Sequence, residues 1–93
     1  MPASAGLPEY LKREVTDAEV VRRARGQGAV IWGKTNTPVK AADVQTYNKL
    51  YGTTKNPWDV TRTSGGSSGG SAAALSAGIS ALEIGADIGG SLR

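Results

Sequence analysis

The 93-residue sequence contains no cysteine, no histidine and no phenylalanine. Without cysteine the chain has no thiol chemistry and no disulfide, and without histidine it lacks most zinc sites and the base of a Ser-His-Asp triad. Aromatic residues make up only 5% of the sequence, although they supply the largest buried area per side chain. We therefore expect the chain to build a core only together with more sequence or with a partner.

Charge and hydropathy give no sign of a nucleic-acid or membrane partner. The net charge is +3, from 11 basic and 8 acidic residues. The basic cluster Arg22–Arg25 lies among acidic neighbours and has no interleaved aromatic residues for base stacking. The N-terminus lacks the pattern of a signal peptide, and the apolar tract Ala72–Ile88 carries two carboxylates and is too short to span a bilayer. These features predict a soluble, cytoplasmic protein.

The first half of the chain predicts one helix and one strand. Thr16 and Glu19 have the spacing of a capping box that begins a helix, and either Gly26 or Gly28 would end it. The apolar run Ala29–Trp32 is typical of a parallel strand buried on both faces.

The second half repeats this order after a polar stretch. Residues 39–62 predict irregular structure, with helical turns in Ala42–Leu50 and a turn at Asn56–Asp59. Small residues predict a helix at Ala72–Gly78, and Ile79–Ile88 alternates enough to predict a second strand. Helix, strand, loop, helix and strand in this order indicate an α/β fold.

Two Gly/Ser turns, at residues 65–70 and 88–91, lie at either end of the second helix–strand pair. A helix with a short return strand would bring the two turns near each other. The sequence at these turns lacks both the Gly-Lys-Ser/Thr ending of a Walker loop and a strand before a dinucleotide fingerprint, so a phosphate site is disfavoured. A serine after two glycines is typical of a nucleophile beside amides that stabilise an oxyanion.

The segment Gly65–Arg93, GGSSGGSAAALSAGISALEIGADIGGSLR, resembles the core motif of the amidase signature family, including the spacing of its two key serines. GAVIWGKTNTP at residues 28–38 and YGTTKNPWDVTRTSGGSSGG at residues 51–70 resemble the family's upstream elements. The resemblance implies a partial amidase signature domain at residues 16–93, preceded by a loop or truncated lead-in at residues 1–15. The implied fold is α/β, with a mixed central sheet flanked by helices.

The resemblance also implies a role for each residue of the two turns. Ser91 matches the nucleophile that forms an acyl-enzyme, and Ser67 matches the bridging serine, which follows a cis peptide bond in this family. The backbone amides of four residues match the oxyanion hole: Ile88, Gly89, Gly90 and Ser91.

Four neighbouring residues are predicted to support these groups. Gly66 limits crowding before the bridging serine, and Ser68 would support the turn by hydrogen bonding. Asp87 and Arg93 flank the nucleophile and would brace its loop as a charge-assisted pair. The implied reaction is hydrolysis of a carboxylic amide C–N bond, with no metal and no nucleotide cofactor.

The family pattern includes a lysine base upstream of the GKTN segment, and neither Lys12 nor Lys34 occupies that position. We therefore expect the chain by itself to be inactive, with its small-molecule amide bound only in the complete enzyme. Three alternatives stay open at this stage: a non-catalytic oligomerising α/β module, a fragment of an amidotransferase subunit, and an anion-binding loop. The corresponding partners are a second copy of the chain or the remainder of an amidase.

Overall fold

The computed structural model describes all 93 residues and contains two short α-helices and one two-stranded antiparallel sheet. The elements in chain order are a 3-10 turn at Pro8–Tyr10, α1 at Glu19–Gly26, a 3-10 turn at Val39–Ala41, β1 at Tyr47–Asn48, β2 at Gly52–Thr53 and α2 at Gly69–Ser76. Neither α-helix has the length and apolar content that a bilayer crossing requires. These elements are compatible with a part of an α/β fold.

Helix α1 begins two residues later than the capping-box pattern predicts. Its N-cap is Ala18, and no side chain caps the first turn, so the prediction for Thr16 is wrong. The Glu19 carboxylate instead accepts hydrogen bonds from Arg22 at 2.7 and 2.8 Å and from Arg23 at 2.7 Å. Two guanidinium groups one turn away hold this carboxylate, so it does not turn back to the N-cap amide. The predicted end at Gly26 is confirmed.

Both predicted strands are wrong for this structure. Neither Ala29–Trp32 nor Ile79–Ile88 forms a strand, and the side chains of Val30 and Ile88 are 85% and 101% exposed. A parallel strand depends on neighbouring strands at its edges and on helices over its faces. No segment of these 93 residues pairs with either run. The apolar patterns therefore remain without the partners that would turn them into a sheet.

A hairpin lies where the sequence predicts helical turns. In β1 and β2, Tyr47 pairs with Thr53 and Asn48 with Gly52. The Asn48 side-chain oxygen accepts the amides of Leu50 and Tyr51, both at 2.9 Å, and so closes the hairpin. Asparagine side chains compete with helical backbone bonding in this way, which explains why the prediction for Ala42–Leu50 is wrong. The predicted turn at Asn56–Asp59 is confirmed, since the Trp58 amide bonds to the Asn56 side chain.

Helix α2 confirms the predicted helix of small residues but begins within the Gly/Ser stretch. Its first residue is Gly69, three residues before the predicted start, and its buried residues are Gly69, Gly70, Ser71 and Ala74. The last residues of the glycine-rich segment therefore form the first turn of a packed helix, so this segment is not a flexible linker.

The centre of the molecule is polar. Apart from glycines, Pro38 and Ala74 are the buried apolar residues, and Thr46 is fully buried as well. The Thr46 hydroxyl donates to the carbonyl of Gly65 at 2.8 Å and accepts the amide of Gly69 at 3.1 Å. Asn48 donates to the Asn36 side chain at 2.5 Å and to the Thr37 carbonyl at 2.8 Å. Side-chain hydrogen bonds thus connect the hairpin and the residue before it both to the GKTN loop (residues 33–36) with its next residue and to the start of α2.

Glycine is required where α2 meets these segments. A methyl group on Gly69 would overlap the Thr46 hydroxyl, and one on Gly70 would overlap the backbone of Asn36. A backbone atom cannot rotate away as the end of a flexible side chain can. The two glycines therefore allow the helix to approach the GKTN loop at backbone distance.

We predict that Thr46→Val destabilises the protein by about 1–3 kcal/mol, because the Gly65 carbonyl and the Gly69 amide lose their buried partner. Urea unfolding followed by circular dichroism measures this change. The matched control is Thr53→Val, since Thr53 is exposed on β2 and its hydroxyl makes no hydrogen bond. Equal stability of the two variants would contradict a structural role for the Thr46 hydroxyl.

Candidate active site

The structure brings the two Gly/Ser turns into direct contact. The backbone amide of Ser68 donates to the backbone carbonyl of Ser91 at 3.2 Å. The Ser68 hydroxyl also donates to the carbonyl of Ala86 at 3.4 Å. Ser68 therefore bonds at two points to the segment that follows α2 (residues 79–91, the return segment), and the supporting role predicted for it stays a prediction. Segments that are distant in the sequence thus meet at one place in the fold.

Ser67 is buried, with 5% of its surface exposed, and the Gly66–Ser67 peptide bond is cis, as the family resemblance implies. Gly66 lies against the backbone of residues 43–45. A methyl group there would lie 2.7 Å from the carbonyl carbon of Val44, well inside van der Waals contact. No hydrogen bond joins the hydroxyls of Ser67 and Ser91 in this conformation, and the roles predicted for the two serines stay predictions.

Asp87 organises the turn that carries Ser91. Its carboxylate accepts the amide of Gly90 at 2.6 Å and the amide of Leu92 at 3.2 Å. The Arg93 guanidinium donates to the same carboxylate at 3.0 Å, so the pair predicted from the sequence is present. The side chain of Asp87 is only 15% exposed, whereas that of Arg93 is 81% exposed. Two backbone amides and one guanidinium group thus form a ring of donors around the Asp87 carboxylate, and they fix the backbone on both sides of the predicted nucleophile.

The four amides predicted to form the oxyanion hole differ in their surroundings. The Gly90 amide is occupied by Asp87, whereas the amides of Ile88 and Gly89 have no hydrogen-bond partner. Free amides at a glycine turn are the donors that an oxyanion needs. In this conformation, Ile88 and Gly89 are the members of the predicted set with a free N–H that no carboxylate covers.

The Arg93 guanidinium, with the amides of Gly90 and Leu92, holds the pKa of the Asp87 carboxyl below its ordinary range. Partial burial opposes this effect but does not outweigh it. A charged group whose ionised form accepts several hydrogen bonds is stabilised in that form. Asp87 is therefore a carboxylate, and an acceptor only, at neutral pH.

A cleft of about 510 Å³ lies between the two turns. The polar and charged side chains that line it include those of Ser68, Ser71, Glu83, Ser91 and Arg93. Its remaining wall includes apolar side chains such as Leu75. Concave sites with a few convergent polar groups are the usual form of a small-molecule pocket.

Several residues of the site were not singled out from the sequence. The Thr35 hydroxyl hydrogen-bonds to that of Ser71 at 2.8 Å. The Thr46 hydroxyl accepts the amide of Gly69, and the backbone of Asn36 lies against Gly70. For Thr35 and Asn36 the available signal was their place in a loop that follows an apolar run, where functional side chains are common. A lone threonine or asparagine has no periodicity, so its partners appear only in three dimensions.

Comparison with known proteins gives the same assignment over the whole chain. The family described as "Amidase" matches residues 1–93. A glutamyl-tRNA(Gln) amidotransferase subunit from Sulfolobus acidocaldarius is 53% identical over 91 residues, which are 98% of this chain and 19% of that protein. The putative amidase AmiB2 of Mycobacterium tuberculosis (strain ATCC 25618 / H37Rv) is 55% identical over 78 residues, which are 84% of this chain and 17% of that protein. The chain thus spans less than a fifth of the length of these curated relatives.

The ring of donors around Asp87 predicts a measurable titration. We expect carbon-detected NMR to give Asp87 a pKa below the ordinary value of about 3.9. Because the folded pKa lies below the unfolded one, the carboxylate stabilises the turn above that value, and this contribution is lost as the pH falls through the folded pKa.

The variant Arg93→Gln separates the two sources of this shift. We expect it to raise the pKa of Asp87 towards the ordinary value without reaching it, since the amides of Gly90 and Leu92 remain. The control Arg62→Gln removes a comparable exposed partner from Asp59 and leaves the Asp87 titration unchanged. An Asp87 that titrates normally in the unmodified protein would contradict the observed ring of donors.

Proposed function

The chain belongs to the amidase family, and on that premise we propose that it supplies the nucleophile-bearing core of an enzyme that hydrolyses the C–N bond of a carboxylic amide. The observation that carries the proposal is the hydrogen bond from the Ser68 amide to the Ser91 carbonyl. It joins the two serine turns beside a cleft large enough for a small substrate.

The proposed reaction proceeds through an acyl-enzyme. The Ser91 hydroxyl attacks the amide carbonyl, and its proton passes through Ser67 to a base and then to the leaving nitrogen. Collapse of the tetrahedral intermediate breaks the C–N bond and releases ammonia or an amine. A water molecule then attacks the acyl-enzyme, releases the acid and restores the hydroxyl. In the family this base is a lysine, and no lysine side chain of this chain hydrogen-bonds to either serine.

The oxyanion of the intermediate needs donors that are already in place. We assign this task to the amides of the 88–91 turn, of which those of Ile88 and Gly89 are unpaired. Each such donor contributes about 2.7–4 kcal/mol to the stabilisation of the transition state. Asp87 and Arg93 have no contact with substrate in this scheme and serve to hold the turn.

The finer architecture, a mixed central sheet flanked by helices, is part of the same proposal. It is supported by the large apolar side chains that the 93 residues leave exposed, among them Val30, Trp32 and Leu82. Contiguous exposed apolar surface commonly marks a region that another part of the protein covers. The remainder of an amidase domain is the partner that we propose for this surface.

A second candidate function is a part of an amidotransferase. It is favoured by the 53% identity, over 98% of this chain, to the Sulfolobus acidocaldarius protein, which is named as a glutamyl-tRNA(Gln) amidotransferase subunit. In that case the ammonia released from the amide would pass to a second substrate instead of into solution, and further protein subunits would be partners. Product analysis with a ¹⁵N-labelled amide distinguishes the candidates, since the label enters a second product only when the ammonia is transferred to an acceptor, and it stays in free ammonia in simple hydrolysis.

We predict that Ser91→Ala and Ser67→Ala, made in the native polypeptide that carries this sequence, each lower amide hydrolysis by at least about 10³-fold, because members of such a triad act as a unit. The measurement is ammonia release from simple amides, with fluorophosphonate labelling to count reactive serines. The control is Ser76→Ala, which lies at the exposed end of α2 and makes no side-chain hydrogen bond. Activity retained by Ser91→Ala would rule out the proposed nucleophile.

A separate prediction concerns residues 1–93 alone. Because the base is not among these residues, we expect this chain to give neither amide turnover nor labelling of Ser91 by a fluorophosphonate. At most it would keep the small residual catalysis that an oxyanion site gives without its base. Peptide mapping by mass spectrometry locates any label. Stoichiometric labelling at Ser91 would show that the lysine is dispensable and would overturn this expectation.

A further inference from the structure

A line of three side chains runs along one side of the cleft. The hydroxyls of Thr35 and Ser71 lie 2.8 Å apart, and either oxygen can be the donor. The Thr35 hydroxyl also donates to the Glu83 carboxylate at 3.5 Å. The other oxygen of this carboxylate accepts the Ser80 hydroxyl at 2.6 Å. One series of hydrogen bonds therefore links three segments of the site: the GKTN loop, the first turn of α2 and the return segment.

The carboxylate sets the direction of this series. A carboxylate only accepts hydrogen bonds, whereas a hydroxyl has one proton to donate and two lone pairs. In the arrangement in which Thr35 gives its single proton to Glu83, the Thr35 oxygen can only accept a hydrogen bond from Ser71. Ser71 must then give its own proton to Thr35. Any further hydrogen bond to the Ser71 oxygen has to come from a donor.

Both ends of the series border the cleft, since Glu83 and Ser71 are among its lining residues. Ser71 is 7% exposed and is therefore largely shielded from bulk water. No arginine or lysine forms an ion pair with Glu83, so its charge is satisfied by hydroxyl donors alone. A buried acceptor that lacks a donor is costly, and a ligand that supplies the donor is favoured.

We infer that Glu83, acting through Thr35, makes the Ser71 hydroxyl a dedicated hydrogen-bond acceptor for an N–H group of the substrate. This inference rests on the proposed function and deepens it by adding a determinant of specificity. A carboxamide offers N–H donors to this acceptor. An ester of the same acid places an oxygen lone pair there and gives the free lone pair of Ser71 no donor. Ser71 is thus the contact residue, and Glu83 and Thr35 are positioning residues.

The test compares the kcat/KM of a primary amide with that of the methyl ester of the same acid, in the native polypeptide that carries this sequence. Ser71→Ala, Thr35→Val and Glu83→Ala each remove the enforced acceptor, so we expect the amide-to-ester ratio to fall about three- to tenfold, the effect of one hydrogen bond. Thr35→Ser keeps the series of hydroxyls and should keep the ratio. Glu14→Ala, at an exposed carboxylate without hydrogen-bond partners, is the matched control.

A fluorophosphonate, which has no N–H group, supplies a second readout that does not depend on amide turnover. The rate at which it labels Ser91 should be the same in all variants, because the nucleophile turn stays intact. Amide activity, ester activity and labelling that fall together would show a merely structural role and overturn the inference. A fully labelled enzyme whose ratio is unchanged by Thr35→Val would also overturn it. Absence of labelling in the unmodified enzyme would instead refute the proposed function, and the inference with it.

Discussion

The approach of the glycine-rich segment to the backbone of its neighbours is the constraint on which the rest of this structure depends. Gly66 lies against residues 43–45, and Gly70 lies against Asn36, with no room for a methyl group at either position. The buried Thr46 hydroxyl bonds to the same segment on both sides of residues 67 and 68, at the Gly65 carbonyl and the Gly69 amide. These contacts fix where Ser67 lies and where α2 begins. The contact of Ser68 with Ser91 follows from that placement.

The molecule is held together by polar groups to an unusual extent. Apart from glycines, two apolar residues are buried, Pro38 and Ala74, against four polar ones, Thr46, Asn48, Ser67 and Ser71. Its radius of gyration is nevertheless 13.2 Å, close to the value of about 13 Å for a compact chain of 100 residues. Buried hydrogen bonds specify geometry more strictly than apolar contacts do, because each donor needs its own acceptor. A core of this kind keeps the two Gly/Ser turns in a fixed position relative to each other.

The sequence predicted what depends on local chemistry. Small residues after glycines are sufficient for α2, and Asp87 and Arg93 are close enough in the chain to pair. The strand predictions were wrong because a strand is completed by neighbours, and Ala29–Trp32 has none among these residues. The first helix was misplaced because Glu19 has arginine partners at the spacing of one helical turn. Thr46 and Glu83 belong to no sequence motif, so their hydrogen-bond partners appear only in the folded structure.

The central claim is that Ser91 becomes acylated while the neighbouring turn holds it in place. The most direct measurement is rapid acid quenching during turnover of an amide substrate, followed by peptide mapping of the trapped protein by mass spectrometry. We expect an acyl group, of the mass of the substrate acid less water, on the peptide that contains Ser91. An acyl group on another residue, or turnover without any trapped acyl-enzyme under conditions where deacylation is slow, would contradict the claim.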